Sequence, residues 1–161
     1  MAVAISEQII DKVRQRLVGI KISNGYEVTA SEVIRPTRLG GFRPKHLQLV
    51  VTLGGIDRND ALSVPGNPPA TAHDMTVYIA GLLMPTEESA DKIDALRATF
   101  AADVIKAVAT PQASWHNWDG LAIDTVVGNV DDVTTEEASG FKVTMTVTFR
   151  TTENNPYTSR S

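Results

Sequence analysis

The sequence predicts an α/β (α+β) domain: a single mixed, mainly antiparallel sheet with two principal helices packed on one face, and a long extended loop. Three observations predict it. Phe141 to Thr152 alternates apolar and polar residues without a break, so Phe141, Val143, Met145, Val147 and Phe149 line one face of a strand and Lys142, Thr144, Thr146, Thr148 and Arg150 the other. Ile5, Ile9, Val13, Leu17 and Ile20 recur at helical spacing, and so do Ile93, Leu96, Phe100, Val104 and Val108. A long one-sided strand needs partner strands and an apolar layer over its buried face, and two amphipathic helices supply that layer.

The 161 residues are 42% apolar and 21% charged, which suits one domain over 1–152 followed by a polar C-terminal tail, 153–161. A formal net charge of −4 argues against a protein that grips nucleic acid by neutralising many phosphates, and leaves room for transient or enclosing contact with DNA. The absence of cysteine excludes disulfides, thiolate metal sites and cysteine nucleophiles. The first twelve residues are acidic and amphipathic, unlike a secretory signal, and every apolar run stops well short of the roughly twenty residues of a membrane span. A soluble protein made in the cytoplasm is expected.

Along the chain, Ile5 to Ile20 is a helix with acids early and bases late, ending near Gly19. After a turn at Asn24-Gly25, Tyr26 to Ile34 reads as a strand that stops before Pro36. The Gly/Pro-broken loop from Arg35 to His46 carries Arg35, Arg38, Arg43 and Lys45 and no acid. Leu47 to Leu53 is a buried strand bounded by Gly54-Gly55. Residues 54–72 contain three prolines and three glycines with no sustained period, and read as an extended loop or arm suited to an interface. His73 to Leu83 resumes the strand pattern. Thr86 is a candidate N-cap, with Glu87 and Glu88 in the first turn of a helix running to about Ala109. The turn after it holds both tryptophans, Trp115 and Trp118, whose favoured role is capping the core and whose alternative is docking a partner. Leu121, Ile123 and Val127 begin a strand that pairs antiparallel with 141–152 through the polar loop 131–140.

Chemistry has little signature. Leu39-Gly-Gly and Leu53-Gly-Gly lack the spacing and the following Lys-Ser/Thr of a phosphate cradle, and there is no Gly-x-Ser-x-Gly elbow. His46, His73 and His116 lie far apart, so His73-Asp74 or His116 with Asp119 would make a metal site only by converging in space. No catalytic residue, cofactor or metal is expected, and the chain reads as a non-enzyme. The charges are more informative: Asp119, Asp124, Asp131, Asp132, Glu136 and Glu137 fall in a stretch without Lys or Arg, opposite in sign to the 35–45 loop. Solvated loops explain such runs most simply. The sharper expectation is a head-to-tail contact in which Arg35, Arg38, Arg43 and Lys45 of one subunit meet Asp131, Asp132, Glu136 and Glu137 of the next, repetition closing a ring.

The order of elements, from the Ile5 to Ile20 helix through Gly25-Tyr26 and a strand, then the Thr86 to Ala109 helix, to the final strand running into Asn155-Pro156-Tyr157, resembles the tail terminator (tail completion) proteins of long-tailed bacteriophages. The resemblance covers nearly the whole chain and rests on pattern and size, so no residue role is carried over by identity. It implies a structural virion protein of the tail or neck, assembled in the host cytoplasm. Such a subunit forms a homo-oligomeric ring, a hexamer, that caps the tail tube, docks the head-side connector or neck protein and lets DNA pass through its lumen without specific binding. Membrane contact is not implied. Another neck or head-tail joining protein fits the same pattern, whereas a tail tube subunit fits less well because two helices are evident. The competing class is a small ligand-binding or enzymatic α/β domain with a pocket near His73, Trp115 and His116.

Overall fold

A computed structural model describes residues 2–36, 43–84, 90–109, 117–134, 138–153 and 155–159. Helix α1 spans Ile5–Val18 and helix α2 Ile93–Ala109, with a short turn of helix, α3, at Asn117–Gly120. The strands are β1 Glu32–Ile34, β2 Gln48–Val64, β3 Ala70–Leu83, β4 Asp124–Thr134, β5 Ser139–Thr152 and β6 Asn155–Ser159. They form one sheet in the order β1-β2-β3-β5-β4, with β6 returning onto β5. Among the described residues only the β1–β2 pair is parallel. The expected mixed, mainly antiparallel α+β sheet is therefore the observed one.

The alternation along β5 sets the layers. Phe141, Val143, Met145, Val147 and Phe149 are all buried, and the register places Phe141 beside Gly81, Val143 beside Ile79 and Met145 beside Val77. These side chains share one core cluster with Ile9, Val13 and Leu17 of α1 and with Phe100, Val104 and Val108 of α2, so both helices cover the same face. Each such side chain contributes roughly 1.5–3 kcal/mol when fully buried. Gly81 leaves space for the Phe141 ring, which meets Phe100 edge-on at 5.4 Å. The other face has no helix among the described residues, and along it Lys142, Thr144, Thr146 and Arg150 stay half-buried. Lys142 Nζ lies 5.0 Å over the Tyr78 ring there.

Four expectations are corrected. Of the strand expected over Tyr26 to Ile34, only Glu32–Ile34 joins the sheet. The preceding backbone is held by α2 instead: Asp103, 4% exposed, accepts the N–H groups of Glu27 and Val28, and Lys106 Nζ donates to the Gly25 carbonyl. Residues 54–72, expected as an aperiodic loop, are mostly the distal half of a β2–β3 hairpin, with Asp57 opposite Asp74, Asn59 opposite Ala72 and Val64 opposite Ala70. Both faces of distal β2 are open to solvent, and a strand without a buried face carries no apolar alternation to read. Likewise β4 runs through Asp131 and Asp132 to Thr134, where a polar loop was expected. Within the 153–161 tail, expected to follow the domain, Asn155–Ser159 instead pairs back on β5, and Glu153 N–H donates to the Pro69 carbonyl. The Thr86 N-cap with Glu87 and Glu88 lies outside the described residues; from Ala90 on, a 3-10 turn at Ala90–Lys92 leads into α2.

Candidate assembly interface

The strand order puts the two charged stretches at opposite edges of the sheet. The 35–45 loop joins β1 to β2 at one edge, and β4, with Asp124, Asp131 and Asp132, is the other. Arg38, Glu136, Glu137, Trp115 and His116 lie outside the described residues.

At the basic edge, Arg35 follows β1 directly and reaches back to α1. Its guanidinium forks onto Glu7, one bond from Nη2 to Oε1 at 2.9 Å and the other from Nη1 to Oε2. These hydrogen bonds hold the Glu7 carboxyl below its ordinary range; burial opposes them and the charge attraction adds to the lowering. The same bonds raise the Arg35 guanidinium. The pair borders an open groove of about 620 Å³ along α1, also lined by Asp11 and Arg14.

Gln48, at the start of β2, is 1% exposed and organises the end of the loop. Its amide nitrogen donates to Glu32 Oε2 at 3.0 Å and to the Arg43 carbonyl at 3.2 Å, while its oxygen accepts the Lys45 N–H at 3.2 Å. Lys45 Nζ stands 3.1 Å from Glu32, and its hydrogen bond, followed by that of Gln48, lowers the Glu32 carboxyl. Arg43 and Lys45 remain on the exposed surface. Leu47 adopts a left-handed φ of 55°, a conformation costing a non-glycine residue about 1–2 kcal/mol. It is clamped by Ser31, whose N–H donates to the Leu47 carbonyl at 2.8 Å and whose hydroxyl donates to the His46 carbonyl at 2.6 Å. Gln48 and Glu32 were not singled out in the sequence. Both are polar residues within a strand, and only the fold makes one of them buried.

At the acidic edge, Asp131 and Asp132 are exposed. Asp132 lies 3.5 Å from Arg97 of α2, a half-buried guanidinium that also donates to Ser139 Oγ and pairs with Asp94. Val126, Val130 and Val133 of β4 are 56%, 41% and 46% exposed. The two charged groups are thus separated by the width of the sheet within one chain, and each is partly engaged with its own helices.

Trp118 is corrected as a docking candidate. Its ring is 1% exposed, its indole N–H donates to Thr125 Oγ1 at 2.9 Å, and the Arg16 guanidinium lies 4.9 Å over it. A left-handed backbone, φ 57°, turns it into the core, so it caps the core as the favoured reading expected.

Of the two metal pairings, His116 with Asp119 falls outside the described residues through His116, and His73-Asp74 gathers no further ligand among the described residues. Asp119 pairs with Lys12 at 3.1 Å, and Asp74 accepts from Thr148 and Asn59. No group of three or more His, Asp or Glu side chains suited to a metal occurs among the described residues. His73 lies on Phe149, rings 5.2 Å apart, with Thr151 Oγ1 3.3 Å from its Nε2. Burial, then the Arg58 charge, lowers its pKa. The adjoining open groove of about 240 Å³ is lined by Arg58, Thr71, His73, Thr151 and Glu153.

No protein-family model matches the chain, and no curated protein matches it. Among the described residues no helix is long and apolar enough to cross a membrane.

Proposed function

We propose that the chain is a structural virion subunit, a tail terminator that forms a homohexameric ring on the head-proximal end of the tail tube. The ring stops tube polymerisation, offers a face to the head-side connector, and passes DNA through its lumen without specific binding. Its place is the virion tail or neck, after assembly in the host cytoplasm.

The observation that carries this reading is the placement of charge: the basic loop leaves from the β1 edge and the acidic strand β4 is the opposite edge. Copies set side by side in one sense bring unlike charges together, and a heterologous contact of this kind makes a ring when its rotation closes. The exposed Arg35–Glu7 pair contributes little within one chain, and the exposed Asp132 carboxylate is held only by a 3.5 Å contact to Arg97, so both are open to exchange for subunit contacts. A net charge of −4 suits a channel in which phosphate must slide and not stick.

Reversing Arg38 and Arg43 to Glu tests the reading by light scattering. Loss of the oligomer, with the far-UV circular dichroism of the parent, is the expected result. A double variant that assembles normally at several salt concentrations overturns the contact.

A further inference from the structure

Two long strand edges are open in this fold, and they match each other. β1 covers β2 only over Gln48–Val50, so β2 from Val51 to Val64 has no partner on its outer side among the described residues. Among the described residues β4 pairs only with β5, leaving the outer side of Asp124–Thr134 equally open there. Over their regular parts such edges present N–H and C=O groups to another strand, although past Asn59 the β2 backbone is irregular, the Leu62 N–H donating to Asn59 Oδ1 and the Leu62 carbonyl accepting from Arg150 Nε. Both also expose apolar side chains: Ile56, Leu62 and Val64 on β2 at 40–43%, and Val126, Val130 and Val133 on β4. Proline and lysine are absent from both spans, whereas two other blocks to edge pairing are present: charges at Asp57, Arg58, Asp60, Asp124, Asp131 and Asp132, and register shifts at Leu53/Gly55, Asn59/Val64 and Val127/Val130.

We infer that β4 of one copy pairs antiparallel with the free edge of β2 of the next, so that the sheets of neighbouring subunits become continuous. This rests on the ring reading above and names the bond that joins its subunits. The direction of each strand supports it. β2 is antiparallel to β3, β3 to β5 and β5 to β4, so β2 and β4 run in opposite senses within one chain. A second copy placed beside the first, helices on the same side, therefore brings its β4 antiparallel to β2.

The short β1 strand fixes where the pairing falls. Because β1 occupies the edge opposite Gln48–Val50, the incoming β4 is displaced along the strands toward the hairpin tip, and closed sheets require a stagger of this kind. Its distal end, with Asp131 and Asp132, then abuts the point where β1 gives out, and the residue there is Arg35. Arg58 lies on the paired edge itself, beside Asp57 and Asp60. Self-pairing of β4 is disfavoured by the same charges, since it sets Asp124, Asp131 and Asp132 against their own copies with no base on the strand. The pairing also covers the outer edge of distal β2, a strand whose two faces are otherwise open to solvent.

The chain has no cysteine, so introduced thiols report contacts without background. I56C and V126C chains, the two positions this register sets side by side, are prepared separately and treated with a short bis-maleimide, alone and mixed, alongside the I56C/V126C double variant. Cross-linked dimer only in the mixture, and a ladder of multimers from the double variant, is the expected result. Dimer from V126C alone means isologous β4 pairing and overturns the inference. Rings visible by electron microscopy without any I56C to V126C product overturn the inference and leave the ring reading standing. A ladder that grows into open filaments supports the strand pairing and refutes the ring, whereas a chain that stays monomeric refutes both. As a second variant, V130K weakens association at least about tenfold with an unchanged monomer melting curve, while V18K on α1 leaves association intact; V130K associating like the parent overturns the pairing.

Discussion

Replacing Asp103 with alanine tests how the irregular chain between α1 and β1 is held. One carboxylate oxygen, Oδ2, accepts the N–H of Glu27 and of Val28, each at 2.9 Å, and the side chain is 4% exposed. Alanine leaves both donors without that acceptor. An unsatisfied buried donor costs about 1–3 kcal/mol. Val28 is buried and incurs the full penalty, whereas water reaches Glu27 and recovers part of its bond. The loss is then about 2–4 kcal/mol, a large share of the roughly 5–15 kcal/mol that holds a domain together. At about 2–4 °C per kcal/mol for a chain of this size, the melting temperature falls by roughly 5–15 °C. Asp103→Asn keeps one oxygen in place and loses less, about 1–2 kcal/mol. Urea unfolding measures both variants, with the midpoint falling and the slope unchanged. An alanine variant within about 0.5 kcal/mol of the parent refutes the assignment of Asp103 as the anchor of this segment.

Gln48→Ala removes the side chain that ties Glu32, the Arg43 carbonyl and the Lys45 N–H together; trypsin is expected to cut after Lys45 several-fold faster than in the parent, and an unchanged cleavage rate contradicts the role given to Gln48. The Glu7–Arg35 pair predicts a pH dependence of fixed sign. The Glu7 carboxyl is lowered in the folded chain, so its stabilisation is complete above the unfolded value, about 4.3, and disappears as pH falls through the lower folded value. Glu7→Gln should therefore narrow the stability gap between pH 6 and pH 3, to about the same low-pH stability as the parent; a gap identical in both proteins contradicts the linkage.

Where one side of an element faces the core, the sequence announces it. The alternation from Phe141 to Phe149 and the helical spacing of Ile9, Val13 and Leu17 are burial patterns, and the fold buries those residues. Where neither side is buried, the same strand geometry leaves no trace: Gly55 to Val64 and Asp131 to Thr134 are strands by backbone pairing alone, and their composition reads as loop. The candidate interface was legible as two charge runs, but their position at opposite sheet edges depends on the strand order, which no local pattern encodes. Gln48 and Asp103 were invisible for a related reason, since a polar side chain is identified as buried only when its distant partners arrive. Trp118 resolves in the other direction, as an aromatic with a polar handle whose N–H finds Thr125 inside the core.

The central claim is that copies of this chain join head to tail through oppositely charged sheet edges and close. Electron microscopy of the purified protein in negative stain tests it most directly. The account predicts hexameric rings with a central hole, dispersed by reversing Arg38 and Arg43; compact particles without a hole, unchanged by that reversal, contradict it.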